Sequence, residues 1–268
     1  FKFKNMLKRI LLFFAIWITF LIPKLFLAQS LPTFNCPITI GLLNEGPNLP
    51  EHDSYLTVIS PSSGATSVQL AVIDEVTGLP YKTLNGVALV NADGLAYAQY
   101  QRVPTETEVV TGLLAGNYTA TSSIIQIGSN GNAKTLGTLT PPISTGFNAH
   151  VILGLFGTAD NSSNYLITAL EAQADPITQT VSSYKLYIGK VAVPTTATTW
   201  NTITLDANCT TFIDAILNNL RAGQDGGAQD MVWDFNSNKL LLYAGIDRIL
   251  GVVDLNSNTG SCYADNNS

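Results

Sequence analysis

Residues 254–258 and 265 come closest to a metal-binding pattern. Residues 254–258 alternate oxygen-bearing side chains with other residues, as a calcium loop does, and an acid stands at the twelfth position. Thr259, however, occupies the sixth position, where that loop needs glycine, and Gly260 comes one residue late. The sequence therefore contains one weak set of calcium ligands: Asp254, Asn256, Asn258 and Asp265.

Residues 234–238 show the same alternation without a distal acid. Both stretches fall where a repeat, described below, predicts turns. Asp, Asn, Ser and Gly favour turns because they tolerate left-handed dihedral angles or bond to their own backbone. Turn chemistry accounts for both stretches without a metal, so we expect no cofactor, with calcium as the one alternative.

Candidate catalytic residues are scarce. A hydrolytic triad needs a histidine beside a nucleophile and a carboxylate, and the chain has two histidines, His52 and His150. Neither is accompanied by a Gly-x-Ser-x-Gly motif or by a second histidine at metal-ligand spacing. Glu106 and Glu108 alternate with threonine, which is typical of a solvated sheet edge. There is no phosphate-binding loop, and we predict no catalytic residue in this chain.

The first 28 residues have the pattern of a secretory signal. Lys8 and Arg9 precede an apolar run over residues 10–22, and the small residue Ala28 fits a cleavage site. Met6 is the natural start, so residues 1–5 are expected to lie upstream of it. The apolar run is 13 residues long, whereas a membrane anchor needs about 20. We therefore expect a cleaved signal and a secreted or cell-surface protein.

The charge balance narrows the range of partners. Removing residues 1–28 takes away five of the 13 lysines and arginines and no acid, so the net charge moves from −6 to −11. Such a charge disfavours nucleic acid and anionic membranes as partners. Hydrophobic residues make up 46% of the chain and charged residues only 12%, which favours a secreted β protein with a sizeable core.

Three cysteines allow one disulfide in an exported protein. None forms a Cys-x-x-Cys pair, which argues against a zinc site. We prefer the pair Cys209 and Cys262. Cys36 is then left over, eight residues past the predicted cleavage site.

A short strand-like pattern recurs four times. Each copy is a β-prone run that ends in Ile or Val with Asp or Gly, followed by polar turn residues. Aligned on Ile73, Ile127, Ile188 and Val253, the copies are 54, 61 and 65 residues apart. A repeat of this size built from short strands is typical of radial or stacked β architectures.

A hairpin pattern alternates with this repeat at residues 84–98, 149–167 and 229–244. Two strands from each element make a four-stranded unit, which is a propeller blade. We predict an all-β fold, a partial propeller of about three four-stranded blades, with one short inserted helix at residues 211–220. Residues 29–54, rich in proline, are read as an irregular lead-in, and residues 55–268 as a repeat domain truncated at its C-terminus.

The residues of the last unit resemble a known group of proteins. The runs 227–234, 240–245 and 251–260, with a Leu-Tyr pair and a Val-Asp pair, resemble blades of secreted bacterial propeller-repeat surface proteins. The signal followed by residues 28–30 is similar to exported proteins of gliding, type-IX-secreting bacteria. The resemblance implies an N-terminal fragment of such a protein. This group shares no catalytic set, so no functional residue is implied.

The leading functional hypothesis is a non-enzymatic binding or scaffold protein of the adhesion type, with a surface glycan or protein as partner. Four aromatic residues at predicted blade ends are its candidate binding residues: Tyr97, Tyr165, Trp233 and Tyr243. One alternative is a propeller hydrolase or lyase whose catalytic residues lie beyond residue 268. Another is a β-sandwich adhesin module, in which the strands form two packed sheets.

Overall fold

A computed structural model describes residues 30–34, 39–45, 52–59, 63, 66–90, 93–101, 122–139, 142, 149–160, 163–174, 181–209, 229–244 and 249–264. Several sequence predictions lie outside these residues: the signal, the helix at residues 211–220, and the side chains of Cys36, Glu106, Glu108 and Asp265. No helix among the described residues is long and apolar enough to cross a membrane.

The described residues form sixteen strands in four successive units. The first unit is β1 Thr39–Glu45, β2 Asp53–Ile59 and β3 Thr66–Ala71, followed by the short β4 Ile73–Asp74. The second is β5 Leu84–Val90, β6 Leu95–Gln101, β7 Ser122–Ile127 and β8 Asn132–Leu139. The third is β9 Ala149–Ala159, β10 Asn164–Ala174, β11 Val181–Ala192 and β12 Ala197–Leu205. The fourth is β13 Gln229–Asp234, β14 Lys239–Ala244, β15 Ile249–Asp254 and β16 Thr259–Ala264.

The all-β prediction is confirmed, and each complete unit is an antiparallel meander of four strands. All three predicted hairpins form: β5 with β6, β9 with β10, and β13 with β14. The four copies of the repeat fall on or directly after the third strand of each unit, β3, β7, β11 and β15. The alternative of two packed sheets is wrong, because the strands form successive four-stranded units.

The lead-in prediction needs correction, because β1 and the start of β2 lie within residues 29–54. Pro37 and Pro47 flank β1 instead of interrupting it. Proline is compatible with the ends of a strand, since only the strand interior needs its backbone donor. The apolar run between the two prolines therefore pairs with β2, Leu42 opposite Leu56.

The first strands of consecutive units pack against each other, β1 on β5, β5 on β9 and β9 on β13. This is the order of the inner strands in a β-propeller. At the outer strands, β12 pairs in parallel with β16, Leu205 opposite Gly260, which joins the third and fourth units into one eight-stranded sheet. The strand β4 pairs with β8 in the same way, Asp74 opposite Ala133.

Three hydrophobic clusters lie between neighbouring units. Leu56 and Ile125 belong to the cluster between the first and second units. Tyr97 and Ile167 belong to the cluster between the second and third. Leu170 and Leu242 belong to the cluster between the third and fourth. The core of the protein is therefore a series of sheet-to-sheet interfaces, each buried by apolar side chains on facing strands.

A disulfide joins Cys209 to Cys262, the pair preferred from the sequence, across a separation of 53 residues. Cys209 follows β12 and Cys262 lies in β16, and both are buried in the cluster between the third and fourth units. The bond ties these two units together beside the parallel pairing of β12 with β16.

Candidate functional site

The structure separates the four aromatic candidates. Tyr97 and Tyr165 are completely buried and lie together in the cluster between the second and third units. Trp233 packs against the cluster between the third and fourth units. Tyr243 is 43% exposed on the other face of the fourth unit. The four residues therefore do not line a common surface.

Tyr97 anchors a polar cluster that the sequence patterns did not reveal. Its hydroxyl donates a hydrogen bond to Asp93 Oδ2, and Gln126 Nε2 donates to Tyr97 Oη at 2.6 Å. The same amide nitrogen lies 3.4 Å from Asp93 Oδ2. Burial raises the pKa of Tyr97, and its hydrogen bond to Asp93 raises it further. Tyr97 is therefore a neutral donor at physiological pH, and Asp93 is its acceptor.

The local fold places this cluster at one end of the second unit. Tyr97 lies directly opposite Gln126 in the pairing of β6 with β7, so the two side chains share a face. Asp93 lies in the turn between β5 and β6, where its Oδ1 accepts the backbone N–H of Leu95 at 3.0 Å. Gly94 has a φ of 66° in this turn, a conformation that favours glycine.

A segment near the N-terminus covers the same end of the unit. Phe34 donates its backbone N–H to Gly94 O at 2.8 Å, and Pro32 O accepts the N–H of Ser129 at 2.9 Å. Phe34 is itself buried. The first contact holds the turn that carries Asp93, and the second holds the turn between β7 and β8. Asp93 remains half-buried.

Two further tyrosines make polar contacts in the interface between the second and third units. Tyr165 donates its hydroxyl hydrogen to Gly86 O, which links β10 to β5. A Cβ at Gly157 would overlap this hydroxyl, so glycine is required there for the close approach. Tyr187 donates to Glu171 Oε2 at 2.7 Å.

Glu171 is a completely buried carboxylate in β10. Lys185 lies opposite it in the pairing of β10 with β11. Glutamate is seldom fully buried unless it is paired, so a Glu within the apolar strand at residues 165–171 was a sequence signal for this contact. Its burial places it out of reach of a large substrate.

The Asp- and Asn-rich stretches form turns. Asp254 Oδ1 accepts the backbone N–H groups of Asn256 at 2.9 Å and Ser257 at 3.3 Å. Asn256 Oδ1 accepts a hydrogen bond from Asn238 Nδ2 at 2.7 Å, which links the two turns. Asn258 has a φ of 54°, the left-handed conformation that asparagine tolerates.

Two of the four candidate calcium ligands therefore already use a side-chain oxygen as an acceptor within the turns. Asp265, the fourth, lies outside the described residues. Within the ranges given above, no three His, Cys, Asp or Glu side chains are grouped as metal ligands. The arrangement gives no support to a calcium loop.

In the neighbouring turn, the hydrogen bond from Ser237 Oγ to Asp234 Oδ2, 2.6 Å long, lowers the pKa of Asp234. The backbone N–H of Asn236 donates to the same carboxylate at 3.0 Å and lowers the pKa further. Both donors favour the charged form of the side chain.

The two histidines belong to different units of the fold. His52 precedes β2, and its backbone carbonyl accepts the N–H of Thr83 at 2.8 Å. His150 is the second residue of β9, opposite Ala172. His52 belongs to the first unit and His150 to the third, and this separation gives no support to a shared catalytic role.

No protein-family model and no curated protein sequence matches the chain. Among solved structures, it is similar to the α-L-arabinanase of Penicillium chrysogenum complexed with arabinobiose, at 10% identity and a TM-score of 0.47. That match covers 88% of this chain and 62% of the arabinanase, so the chain spans less than two thirds of that enzyme. It is also similar to the major Malassezia sympodialis allergen Mala s 1, at 9% identity and a TM-score of 0.35, over 80% of this chain and 74% of the allergen.

The expectation of a non-enzymatic binding or scaffold protein is corrected at this point. The finding at odds with that expectation is that the solved structure with the wider overlap is that of an enzyme. The likeness supplies neither a substrate nor a catalytic residue for this chain.

Proposed function

We propose that the chain is part of an exported β-propeller hydrolase or lyase that acts on polysaccharides, with Asp93 as a general base. The observation that carries the proposal is the fixed orientation of the Asp93 carboxylate. The N–H of Leu95 binds one oxygen, and Tyr97 and Gln126 lie against the other.

A general base must be held in one orientation and must reach solvent or substrate. Asp93 meets both requirements, because it is half-buried at the end of a unit, whereas Glu171 is completely buried. The raised pKa of Tyr97 keeps its hydroxyl protonated across the neutral range, so the orienting hydrogen bond persists there. A glycoside hydrolase uses two carboxylates, and we expect the second to lie outside the described residues.

Export is supported by two features. The basic and apolar pattern of residues 1–28 is that of a signal. The disulfide between Cys209 and Cys262 belongs to an oxidising compartment. The more specific assignment to surface proteins of gliding bacteria remains part of the proposal.

The test is an assay of the protein from the complete reading frame against neutral and acidic polysaccharides, including arabinan. Released reducing ends report hydrolysis, and ultraviolet absorbance of an unsaturated product reports elimination. Asp93→Asn keeps the shape of the side chain and removes the charge, so we expect kcat/KM to fall by about 100-fold or more.

Asp234→Asn is the matched control, since it makes the same change in an exposed turn of the fourth unit. It should leave kcat/KM unchanged. Circular dichroism of both variants checks that they fold. Absence of activity on every substrate would refute the function, whereas full activity of folded Asp93→Asn would refute only the role of Asp93.

A further inference from the structure

Residues 31–34, called the clip below, lie outside the strands that the structure describes and cross one end of the second unit. Leu31 is buried in the cluster between the second and third units, and Phe34 is buried in the cluster between the first and second. Stacked sheets pack about 10 Å apart, and three residues of extended chain span about that length. The clip is therefore long enough to cross one sheet and bury a side chain on each side of it.

Two turns of the second unit leave room for the clip because each carries a glycine. A Cβ at Gly128, which follows β7, would lie 3.0 Å from Pro32 Cδ and 3.2 Å from Leu31 Cβ. A Cβ at Gly94 would lie 3.3 Å from Thr33 Cβ. Carbon atoms in contact prefer a separation of about 3.5–4.0 Å, so a larger residue at Gly128 would push the clip away.

The clip supports the backbone of the turn that carries Asp93. Within this turn, the N–H of Gly94 donates to Val90 O at 3.0 Å, and the Asp93 carboxylate accepts its hydrogen bonds from β6. The clip adds a contact from outside the hairpin, in which the N–H of Phe34 donates to Gly94 O at 2.8 Å. Surface turns are among the least stable parts of a fold. A bond that ties this turn to buried side chains therefore restricts the movement of Asp93.

We propose that Leu31 and Phe34 are positioning residues for Asp93, because their burial on both sides of the second unit fixes the clip and the clip fixes the turn. A shift of about 1 Å, even one caused far from the reacting atoms, can lower the rate about 100-fold. The proposal rests on the proposed function, since it concerns the same carboxylate. Its test therefore includes a measurement that needs no substrate.

The test compares Phe34→Ala with Leu56→Ala in the protein from the complete reading frame. Both side chains are buried in the cluster between the first and second units, so both variants should lower the free energy of unfolding. Only Phe34→Ala should lower kcat, by about tenfold or more with KM within about twofold. Phe34→Leu should restore kcat.

The measurement without substrate is hydrogen exchange of the Gln126 side-chain amide, followed by NMR. This amide donates to Tyr97 Oη at 2.6 Å and lies 3.4 Å from Asp93 Oδ2, so it reports on the order of the site. In Phe34→Ala it should exchange about tenfold faster or more, and in Leu56→Ala at the rate of the parent.

Gly128→Ala is the second variant, because it displaces the clip without changing Leu31 or Phe34. Its control is Gly137→Ala in β8, where a Cβ would lie 3.3 Å from Thr196 Oγ1. Gly128→Ala should reproduce the effects of Phe34→Ala, and Gly137→Ala should leave kcat and exchange unchanged.

Unchanged kcat and exchange in the folded clip variants would overturn the proposal. Equal effects in Leu56→Ala would also overturn it, because they would show a general loss of stability. If the parent has no activity on any polysaccharide while Phe34→Ala and Gly128→Ala still accelerate exchange at Gln126, the proposed function fails and the positioning of Asp93 by the clip stands.

Discussion

The third and fourth units have the same strand order and similar apolar strands, yet they differ in how much of each strand is buried. In β10 of the third unit, Leu166 and Ile167 point to opposite faces and both are buried. In β14 of the fourth unit, Leu242 is buried and its neighbour Leu241 is 37% exposed. The apolar pattern of a strand therefore indicates which faces are suited to burial, whereas neighbouring sheets decide which faces are buried.

The largest effect is expected from the disulfide that fastens the fourth unit to the third. A bridge that closes a loop of 53 residues stabilises the fold by about 4 kcal/mol in the loop-entropy model. Reduction, or Cys262→Ser, should lower the free energy of unfolding by about that amount in urea titrations. Cys36→Ser should keep the response to reductant. If reductant did not change the unfolding midpoint, the disulfide would not stabilise the contact between the third and fourth units.

A matched pair of leucines tests the two faces of the fourth unit directly. Leu242→Ala removes a side chain that is 1% exposed, so it should lower the free energy of unfolding by about 2–5 kcal/mol. Leu241 is 37% exposed in the same strand, so Leu241→Ala should lower the free energy of unfolding by less than about 1 kcal/mol. Urea unfolding measures both variants.

The third unit provides the control for this pair. There, Leu166→Ala and Ile167→Ala should both fall in the larger range, because both faces of β10 are covered. If the two leucine variants of β14 lowered the free energy of unfolding equally, both faces of β14 would be covered, as both faces of β10 are.

Alkaline pH tests the burial of Tyr81, which packs against the cluster between the first and second units. Burial raises the pKa of Tyr81 from 10.0 to about 12. The folded state therefore favours the protonated form. The resulting stability is fully present below pH 10 and is lost as the pH rises from 10 towards about 12.

Tyr81→Phe should lessen this loss, since it removes the titrating group while keeping the ring. The free energy of unfolding measured across the alkaline range gives the slope for each protein. A variant that loses stability as steeply as the parent would show that Tyr81 does not contribute.

The smallest effect concerns an exposed turn of the fourth unit. The hydrogen bond from Ser237 Oγ lowers the pKa of Asp234. Ser237→Ala should therefore raise that pKa, as followed by NMR of the carboxylate carbon against pH. Global stability should hardly change, because the group is exposed. An unaltered titration of Asp234 would show that the backbone donors alone hold its pKa down.

Much of the fold could be predicted from local pattern. The hairpin at residues 229–244 was visible because alternating strands flank a turn of Asp, Asn and Ser, and such turns are determined by neighbouring residues. The strand β1 departs from the sequence prediction because the prolines on both sides of it are typical of an irregular segment. Proline, however, interferes only with donors inside the strand, and Pro37 lies before β1.

The candidate site was harder to predict. Asp93, Tyr97 and Gln126 are brought together by the turn between β5 and β6 and by the register of β6 with β7, and Gln126 is 33 residues from Asp93 in the chain. From the sequence, Tyr97 is predicted only as an aromatic residue at a blade end. A polar glutamine inside the apolar strand β7 was the signal that pointed to a buried partner.

Side-chain periodicity and turn chemistry over a few residues predict most of the strands after β1, their turns and their grouping into four-stranded units. The packing of the units on one another determines which apolar faces are covered, which tyrosine contacts which carboxylate, and which face of the fourth unit is exposed. Those outcomes depend on contacts between residues far apart in the chain, and the period-two pattern of a strand carries no information about the neighbour on either side.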